Sequence, residues 1–177
     1  MTPLSPAERA EVDALIKSEW PKLERFFRSK VPPSDIHDLA QNTLLGFVKR
    51  PDTPLENQRA YLWTIARRQV IDFYRRGRGD ATAFDSSVHS VMHAGPTLSS
   101  VINRKNQILK GLQSLPVDHQ TAIELKYGEG LTDPEGAVVL DVSMATYKRY
   151  VSAGLETLRR LSGVVSEEQV GNAYRGG

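Results

Sequence analysis

The sequence contains no cysteine, few aromatic residues and no long apolar run. Without cysteine, disulfide frameworks, cysteine-ligated zinc sites and thiol nucleophiles are excluded. No apolar run approaches the roughly 18 residues that a spanning helix needs, so we expect no membrane insertion. The N-terminus has no signal-peptide pattern, which favours the cytoplasm. Aromatic residues make up only 7% of the chain and long β-branched alternation is missing, so a β-sandwich or barrel is disfavoured.

Positive charge is concentrated in two separate segments, although the net charge of the whole chain is only +2. Residues 59–78 carry a net charge of +5 and residues 143–160 carry +3, whereas residues 1–58 carry −1. Two basic helices are what a protein needs to contact a polyanion at two places. Ordinary solvated helix faces explain the same pattern, so charge alone leaves both interpretations open.

Apolar spacing and helix-ending residues predict an all-α protein made of two small helical domains. In the first half we expect a helix over residues 6–29 and a third helix over residues 58–76. Between them, a second helix begins after the cap signal at Ser34 and Asp35 and ends before Pro51.

The capping residues and helix spacing of the second half predict a helix-turn-helix. Helices over residues 98–115 and 117–127 precede a short helix capped by Thr132 and a longer one capped by Ser143. The polar, glycine-containing end of the chain is expected to fray. We therefore divide the chain into an N-terminal domain at 1–78, a flexible linker at 79–97, a helix-turn-helix domain at 98–162 and a polar tail at 163–177.

Three segments together resemble one known family. DIHDLAQNTLLGFVKR, RAYLWTIARRQVIDFYRR and LQSLPVDHQTAIELKYGEGLTDPEGAVVLDVSMATYKRYVSAGLETLRRL occur in the order and spacing found in the extracytoplasmic-function (ECF) sigma factors of bacterial RNA polymerase, within the sigma-70 family. The resemblance covers roughly residues 15–161. It implies that the first segment binds core polymerase, the second melts and reads the minus-ten promoter element, and the third reads the minus-thirty-five element.

The first segment implies a contact with the clamp helices of the polymerase β′ subunit. The residues that correspond to this contact are Asp35, Asp38, Leu39 and Gln41. His37 and Asn42 stand where acids are common in the family, so the face is poorer in negative charge. We hypothesise that a regulatory kinase restores this charge by phosphorylating Thr43 or Thr53, since a phosphate adds about −1.5 to −2 charges.

The second segment mixes arginines with aromatic residues, as a strand-opening helix requires. Arginines neutralise phosphates, and flat side chains offer surfaces for unstacked bases. Asn57 and Gln58 are expected to hydrogen-bond the edge of a flipped base. The alternative for Trp63 is packing against a neighbouring helix. The predicted minus-ten residues are Asn57, Gln58, Arg59, Trp63, Arg67, Arg68, Tyr74, Arg75 and Arg76.

The third segment contains the predicted recognition helix. Tyr147, Val151 and Leu158 set its buried face, and we expect Arg149 on the opposite face to contact a base and Lys148 a phosphate. The predicted minus-thirty-five residues are Ser143, Ala145, Thr146, Lys148, Arg149 and Ser152. Two departures from the family pattern precede the helix. Gly136 replaces an aliphatic core residue, at a cost of about 1 kcal/mol besides lost packing, and Asp141 replaces the turn glycine.

The resemblance predicts a promoter-specificity subunit with no catalytic residue and no cofactor. Its expected partners are core polymerase, through the β′ clamp helices and the β flap, promoter DNA, and an anti-sigma factor.

Two alternatives remain: a helix-turn-helix regulator that binds duplex DNA as a homodimer without polymerase, and an interaction protein that only sequesters polymerase. An enzyme has little support, because His89 and His93 lack a nearby carboxylate motif and are expected to be solvated rather than metal ligands.

Overall fold

All regular structure in the described part of the chain is helical, which confirms the all-α prediction. The computed structural model describes residues 6–49, 57–78, 100–163 and 165–176. The predicted linker at 79–97, with His89 and His93, lies outside the described residues, as does Thr53. None of the described helices is long and apolar enough to cross a membrane.

Among the described residues, three helices form the N-terminal half. They are α1 (Pro6–Arg28), α2 (Ile36–Val48) and α3 (Gln58–Arg78). A 3₁₀ turn at Pro33–Asp35 leads into α2, whose first turn receives no side-chain cap from Asp35. Phe26, Phe27, Phe47 and Trp63 lie in the core between these helices.

Five helices and one π-helical turn form the part of the C-terminal half that the structure describes. They are α4 (Ser100–Gln113), α5 (Val117–Ile123), the π-helical turn (Glu124–Gly128), α6 (Asp133–Leu140), α7 (Met144–Ser162) and α8 (Glu167–Arg175). Leu112, Ile123, Tyr147 and Leu158 belong to the core of this half.

Helices α6 and α7 form the predicted helix-turn-helix. Thr132 caps α6 in a reciprocal capping box with Glu135, and the Ser143 side chain accepts a hydrogen bond from the Thr146 amide at the start of α7. Asp141 adopts the left-handed conformation with φ 54° and ψ 47°. The turn therefore forms although its usual glycine is missing, because a short polar side chain tolerates this backbone region.

Gly136 does not leave the core underpacked, so the predicted loss of packing is wrong. A Cβ atom at Gly136 would lie 2.2 Å from Cζ of Tyr147. The Tyr147 ring occupies the space in which an aliphatic side chain was expected, and its hydroxyl donates to the carbonyl oxygen of Ala122 at 3.1 Å. The glycine is therefore matched to a large residue on the neighbouring helix.

The prediction of a frayed tail is also wrong. Ser166 and Gln169 form a capping box that starts α8, and Val170, Ala173 and Tyr174 are buried. Spacings of three and four residues place these side chains on one face of the helix. The sequence of this segment looked polar because the apolar face of the helix consists of only three side chains.

The two halves pack against each other rather than standing apart. Helix α3 packs against α6. One apolar cluster includes Trp63 and Phe26 from the N-terminal half together with Val117, Leu131 and Val139 from the C-terminal half. We call this boundary the domain seam: it lies between α1 and α3 on one side and the segment from α5 to α6 on the other.

Candidate nucleic-acid interface

Helix α3 presents its predicted minus-ten residues on different faces. Arg68, Arg75 and Arg76 are exposed to solvent. Arg75 lies 3.9 Å from Asp72 of the preceding turn, a long and exposed ion pair that leaves its charge available to a phosphate. These three arginines form a basic edge on the outer surface of the N-terminal half.

Trp63 lies in the core rather than on that edge. Its side chain is fully buried, its Nε1 donates to Oε2 of Glu19 at 2.9 Å, and its ring meets Phe26 edge-on with centroids 5.3 Å apart. This position agrees with the alternative in which Trp63 packs against a neighbouring helix. Tyr74 is half-buried, and its hydroxyl donates to the Lys30 carbonyl oxygen at 2.7 Å.

Three other predicted minus-ten residues face the domain seam. Arg67 Nη2 lies 3.0 Å from Oδ1 of Asp118. Arg59 Nη2 donates to the Glu129 carbonyl oxygen at 2.7 Å, and Asn57 donates its side-chain amide to Glu135. Gln58 is half-buried at the start of the helix.

Asn57 has a second role in shaping α3. Its Oδ1 accepts a hydrogen bond from the Ala60 amide at 2.8 Å, which caps the first turn of the helix. The helix that carries the arginines therefore begins at a residue that also contacts the other half. The adjoining residues 50–56 lie outside the described residues.

The recognition helix α7 has the register that the sequence predicts. Tyr147, Val151, Gly154, Leu155 and Leu158 are buried. The exposed residues on the opposite face are Ser143, Met144, Ala145, Lys148, Arg149 and Ser152. Thr146 is half-buried, and its Oγ1 accepts a hydrogen bond from the Ser143 hydroxyl at 3.0 Å.

A histidine lies beside this exposed face. The rings of His119 and Tyr150 have centroids 4.7 Å apart. Burial lowers the pKa of His119 and Arg149 lowers it further, while Asp118 opposes both effects. The neutral form of the imidazole is therefore favoured beside Arg149.

Helix α2 and the 3₁₀ turn before it carry the predicted polymerase-binding residues. Asp38 and Gln41 are exposed, Asp35 is half-buried, and the Ser34 hydroxyl donates to Asp35 Oδ2 at 2.7 Å. Leu39 is only 4% exposed and belongs to the core.

The apolar residues on the outer face of α2 are Leu45, which is 53% exposed, and Val48, which is 47% exposed. Sequence reasoning missed both residues. The signal was available, because positions 38, 41, 45 and 48 repeat at the helical spacing of three and four.

Thr43 is not available to a kinase in this conformation. The residue is fully buried, and its Oγ1 donates to the Leu39 carbonyl oxygen at 2.8 Å. Phosphorylation would require α2 to leave its core, so the structure contradicts the Thr43 part of the phosphorylation hypothesis. Among the described residues no cluster of three or more metal-ligating side chains occurs.

The described residues form an all-helical fold with a basic edge on α3 and a helix-turn-helix in the C-terminal half. Two family models match the chain: Sigma-70 region 2 over residues 15–79 and Sigma-70, region 4 over residues 105–158. The chain belongs to the sigma-70 family, and the pairing of these two regions confirms the resemblance to its ECF group. Proteins of this kind direct RNA polymerase to promoters, so the prediction of an alternative sigma factor is confirmed, and an independent regulator is not favoured.

A solved structure has a similar fold. It contains the sigma factor RpoE in complex with the anti-sigma factor NepR from Bartonella quintana. The sequences are 23% identical, the match covers 88% of this chain and 99% of that chain, and the TM-score is 0.66. Neither half alone makes up 88% of this chain, so the likeness extends over both. No curated protein sequence matches the chain.

Proposed function

We propose that the outer face of α2 binds the clamp helices of the polymerase β′ subunit. The observation that supports this proposal is the combination of an exposed acid, Asp38, an exposed amide, Gln41, and two exposed apolar side chains, Leu45 and Val48, on one face. An apolar centre with polar neighbours is typical of a protein-binding patch. Leu39 then supports this face from the core rather than touching the partner.

Promoter opening rests on the basic edge of α3. Arg68, Arg75 and Arg76 neutralise the phosphates of the minus-ten strand, and Arg59 and Arg67 add to this surface whenever they are released from the domain seam. Attraction to phosphate is long-ranged and independent of base identity, which suits a helix that must hold a strand while it unpairs.

Recognition of the minus-thirty-five element rests on α7. Ala145, Lys148, Arg149 and Ser152 lie on the exposed face, with the N-terminal turn of the helix pointing toward the duplex. In this proposal Arg149 reads a base edge, and Lys148 and the hydroxyls of Ser143 and Thr146 hold phosphates.

The remaining partners follow from the same role. We propose that the C-terminal half contacts the β flap, that an anti-sigma factor restrains the protein, and that the chain works in the cytoplasm beside its polymerase. The RpoE relative has such an inhibitor bound. In this proposal the chain needs no catalytic residue of its own, because the polymerase carries out the chemistry.

The test is binding of the purified chain to bacterial core polymerase. The double variant Asp38→Ala/Leu45→Ala should bind core about tenfold more weakly or worse, which corresponds to about 1.4 kcal/mol. Glu11→Ala/Leu161→Ala is the matched control, since it also removes one exposed acid and one exposed leucine, but from other surfaces. Circular dichroism verifies that both variants fold.

Different outcomes separate the candidate functions. Equal loss of binding in the control would contradict the assignment of the α2 face. A stable dimer that binds duplex DNA without core would contradict the sigma role and support an independent regulator. Core binding without any transcription, and with no effect of Arg149→Ala, would indicate a protein that only sequesters polymerase.

A further inference from the structure

His37 lies on the exposed side of α2 that the proposed polymerase contact uses. It directly precedes Asp38 and stands four residues before Gln41, and all three side chains are exposed. Positions four apart share one face of a helix, so His37 continues the row formed by Gln41 and Leu45 toward the N-terminal end of α2. A partner that covers this face therefore also meets His37.

Two residues of α1 hold the imidazole of His37. The rings of Trp20 and His37 are stacked, with centroids 6.2 Å apart and planes inclined by 22°. Nδ1 of His37 lies 3.1 Å from Oε1 of Glu24. Trp20 and Glu24 stand about one helical turn apart, so one face of α1 restrains both the plane of the ring and its rotation. The ring is held in one orientation although its side chain is 72% exposed.

The contact with Glu24 determines which nitrogen of His37 carries the hydrogen. An ionised carboxylate only accepts hydrogen bonds, so the N–H at this contact belongs to Nδ1. In the neutral imidazole the other nitrogen, Nε2, is then an acceptor. Linked hydrogen bonds polarise one another, so the carboxylate strengthens this acceptor. The exposure of the side chain leaves the acceptor open to a partner.

An acceptor at this position compensates for a missing acid. His37 stands where acids are common in the family, and phosphorylation of the buried Thr43 cannot supply the charge in this conformation. A carboxylate and the Nε2 atom of a neutral histidine both accept a hydrogen bond from lysine or arginine. Helix α2 itself contains no lysine or arginine that would compete for the acceptor. Glu24 and His37 together therefore perform the hydrogen-bonding role of the acid.

We propose that His37, polarised by Glu24 and held by Trp20, extends the polymerase-binding face and accepts a hydrogen bond from a lysine or arginine of the clamp helices. This role rests on the proposed function of the α2 face. His37 is the binding residue, while Glu24 and Trp20 are positioning residues that act through its ring. The polymerase-binding surface thereby depends on α1 as well as on α2.

Two amide substitutions separate the roles of the two nitrogens of His37. The amide of an asparagine lies near the position of Nδ1, whereas the longer glutamine reaches the position of Nε2. His37→Gln therefore keeps an outward acceptor and His37→Asn removes it, and neither variant adds charge. Binding of each full chain to bacterial core polymerase is measured in about 0.3 M salt, which screens long-range attraction between exposed charges.

His37→Asn should bind core about three- to tenfold more weakly, because one hydrogen bond is lost. His37→Gln should stay within about twofold of the parent. The side chain is exposed, so both variants should fold, which circular dichroism verifies. Equal affinity of His37→Asn and the parent would overturn the proposal. Equal weakening in both variants would also overturn it, because an acceptor at the Nε2 position would then be irrelevant.

Glu24→Gln tests the positioning role. In the parent it should weaken core binding about three- to tenfold, because the charge that keeps the hydrogen on Nδ1 is lost. In the His37→Gln background the same change should alter binding by less than about twofold, since an amide needs no carboxylate to expose its acceptor. Glu11→Gln is the matched control, which removes an exposed acid from α1. Equal weakening by Glu24→Gln in both backgrounds would contradict positioning through His37.

The same assay separates this inference from the proposed function. The Asp38→Ala/Leu45→Ala variant is measured beside the His37 variants. If it binds core as tightly as the parent, the assignment of the α2 face is wrong and the role of His37 fails with it. If it loses binding while His37→Asn retains full affinity, the α2 face stands and only the role of His37 is refuted.

Discussion

At the scale of single residues, arginines of one helix differ in what they contact. Arg67 and Arg68 are adjacent in the sequence, yet Arg67 pairs with Asp118 across the domain seam and Arg68 is exposed. Adjacent helical positions point about 100° apart, so they meet different surroundings. Residue type and spacing therefore predicted a nucleic-acid-binding helix but could not separate its two faces.

The recognition helix allows a test of base and phosphate roles. Arg149→Ala should weaken binding to the cognate minus-thirty-five element by about 1–3 kcal/mol and relax specificity at one position. Lys148→Ala should weaken binding to all sequences about equally and reduce the salt slope by about 1. Both are measured with polymerase holoenzyme on a set of single-base promoter variants. Identical specificity profiles for the two variants would contradict this division of roles.

His119 predicts a pH dependence of stability. Its pKa is lowered in the folded protein, mainly by burial, so below the ordinary value of 6.5 the unfolded chain binds more protons than the folded one. The stabilisation is present above that value and is lost as the pH falls. Urea unfolding from about pH 7.5 to about pH 5.5 should show a falling free energy of unfolding, with a weaker dependence in His119→Gln. Equal slopes in the two proteins would exclude His119 as a cause.

At the scale of helices, α6 and α7 were predictable from caps and apolar periodicity. The Thr132 and Ser143 caps form as predicted, because a hydroxyl before an apolar run satisfies free amides at a helix start. The packing at Gly136 was not predictable in this way, because it depends on Tyr147 of the next helix. The start of α8 carried a local signal, the Ser166–Gln169 capping box, but its burial depends on Gly128 and Arg25, which lie far away in the sequence.

Gly136 provides a test in which helix propensity and packing disagree. Propensity alone predicts that Gly136→Ala stabilises the helix by about 1 kcal/mol. The contact with Tyr147 predicts instead a loss of about 1–3 kcal/mol, because the new methyl group overlaps the ring. Thermal unfolding measures the sign.

Two further variants make that measurement specific. Val138→Ala is the control on the same helix, since this side chain is 63% exposed and its loss should change stability by only about 0.5 kcal/mol. The Gly136→Ala/Tyr147→Leu double variant should lose less stability than the sum of the losses measured in the two single variants. A stabilising Gly136→Ala would refute the packing argument.

At the scale of the whole molecule, the two halves share buried surface and should unfold together. Both tryptophans, Trp20 and Trp63, lie in the N-terminal half, so their fluorescence follows that half alone, while far-ultraviolet circular dichroism follows all helices. The two signals should give coincident urea transitions. Leu131→Ala, in the C-terminal half but within the shared cluster, should shift both by about 2–5 kcal/mol. A shift in circular dichroism without one in fluorescence would contradict shared unfolding.

The sequence alone determined the helices α1 to α7, the Thr132 and Ser143 caps, the face of α7 that points outward and the family. These features depend on local periodicity and on short motifs, which the order of residues states directly. Only the tertiary structure decided that Leu39 and Trp63 lie in the core, that Leu45 is exposed, that α8 is packed, and that Lys30, Arg25 and Arg67 pair with acids far along the chain. The physical reason is that burial and ion pairing depend on which surfaces meet, and that depends on contacts between residues widely separated in sequence.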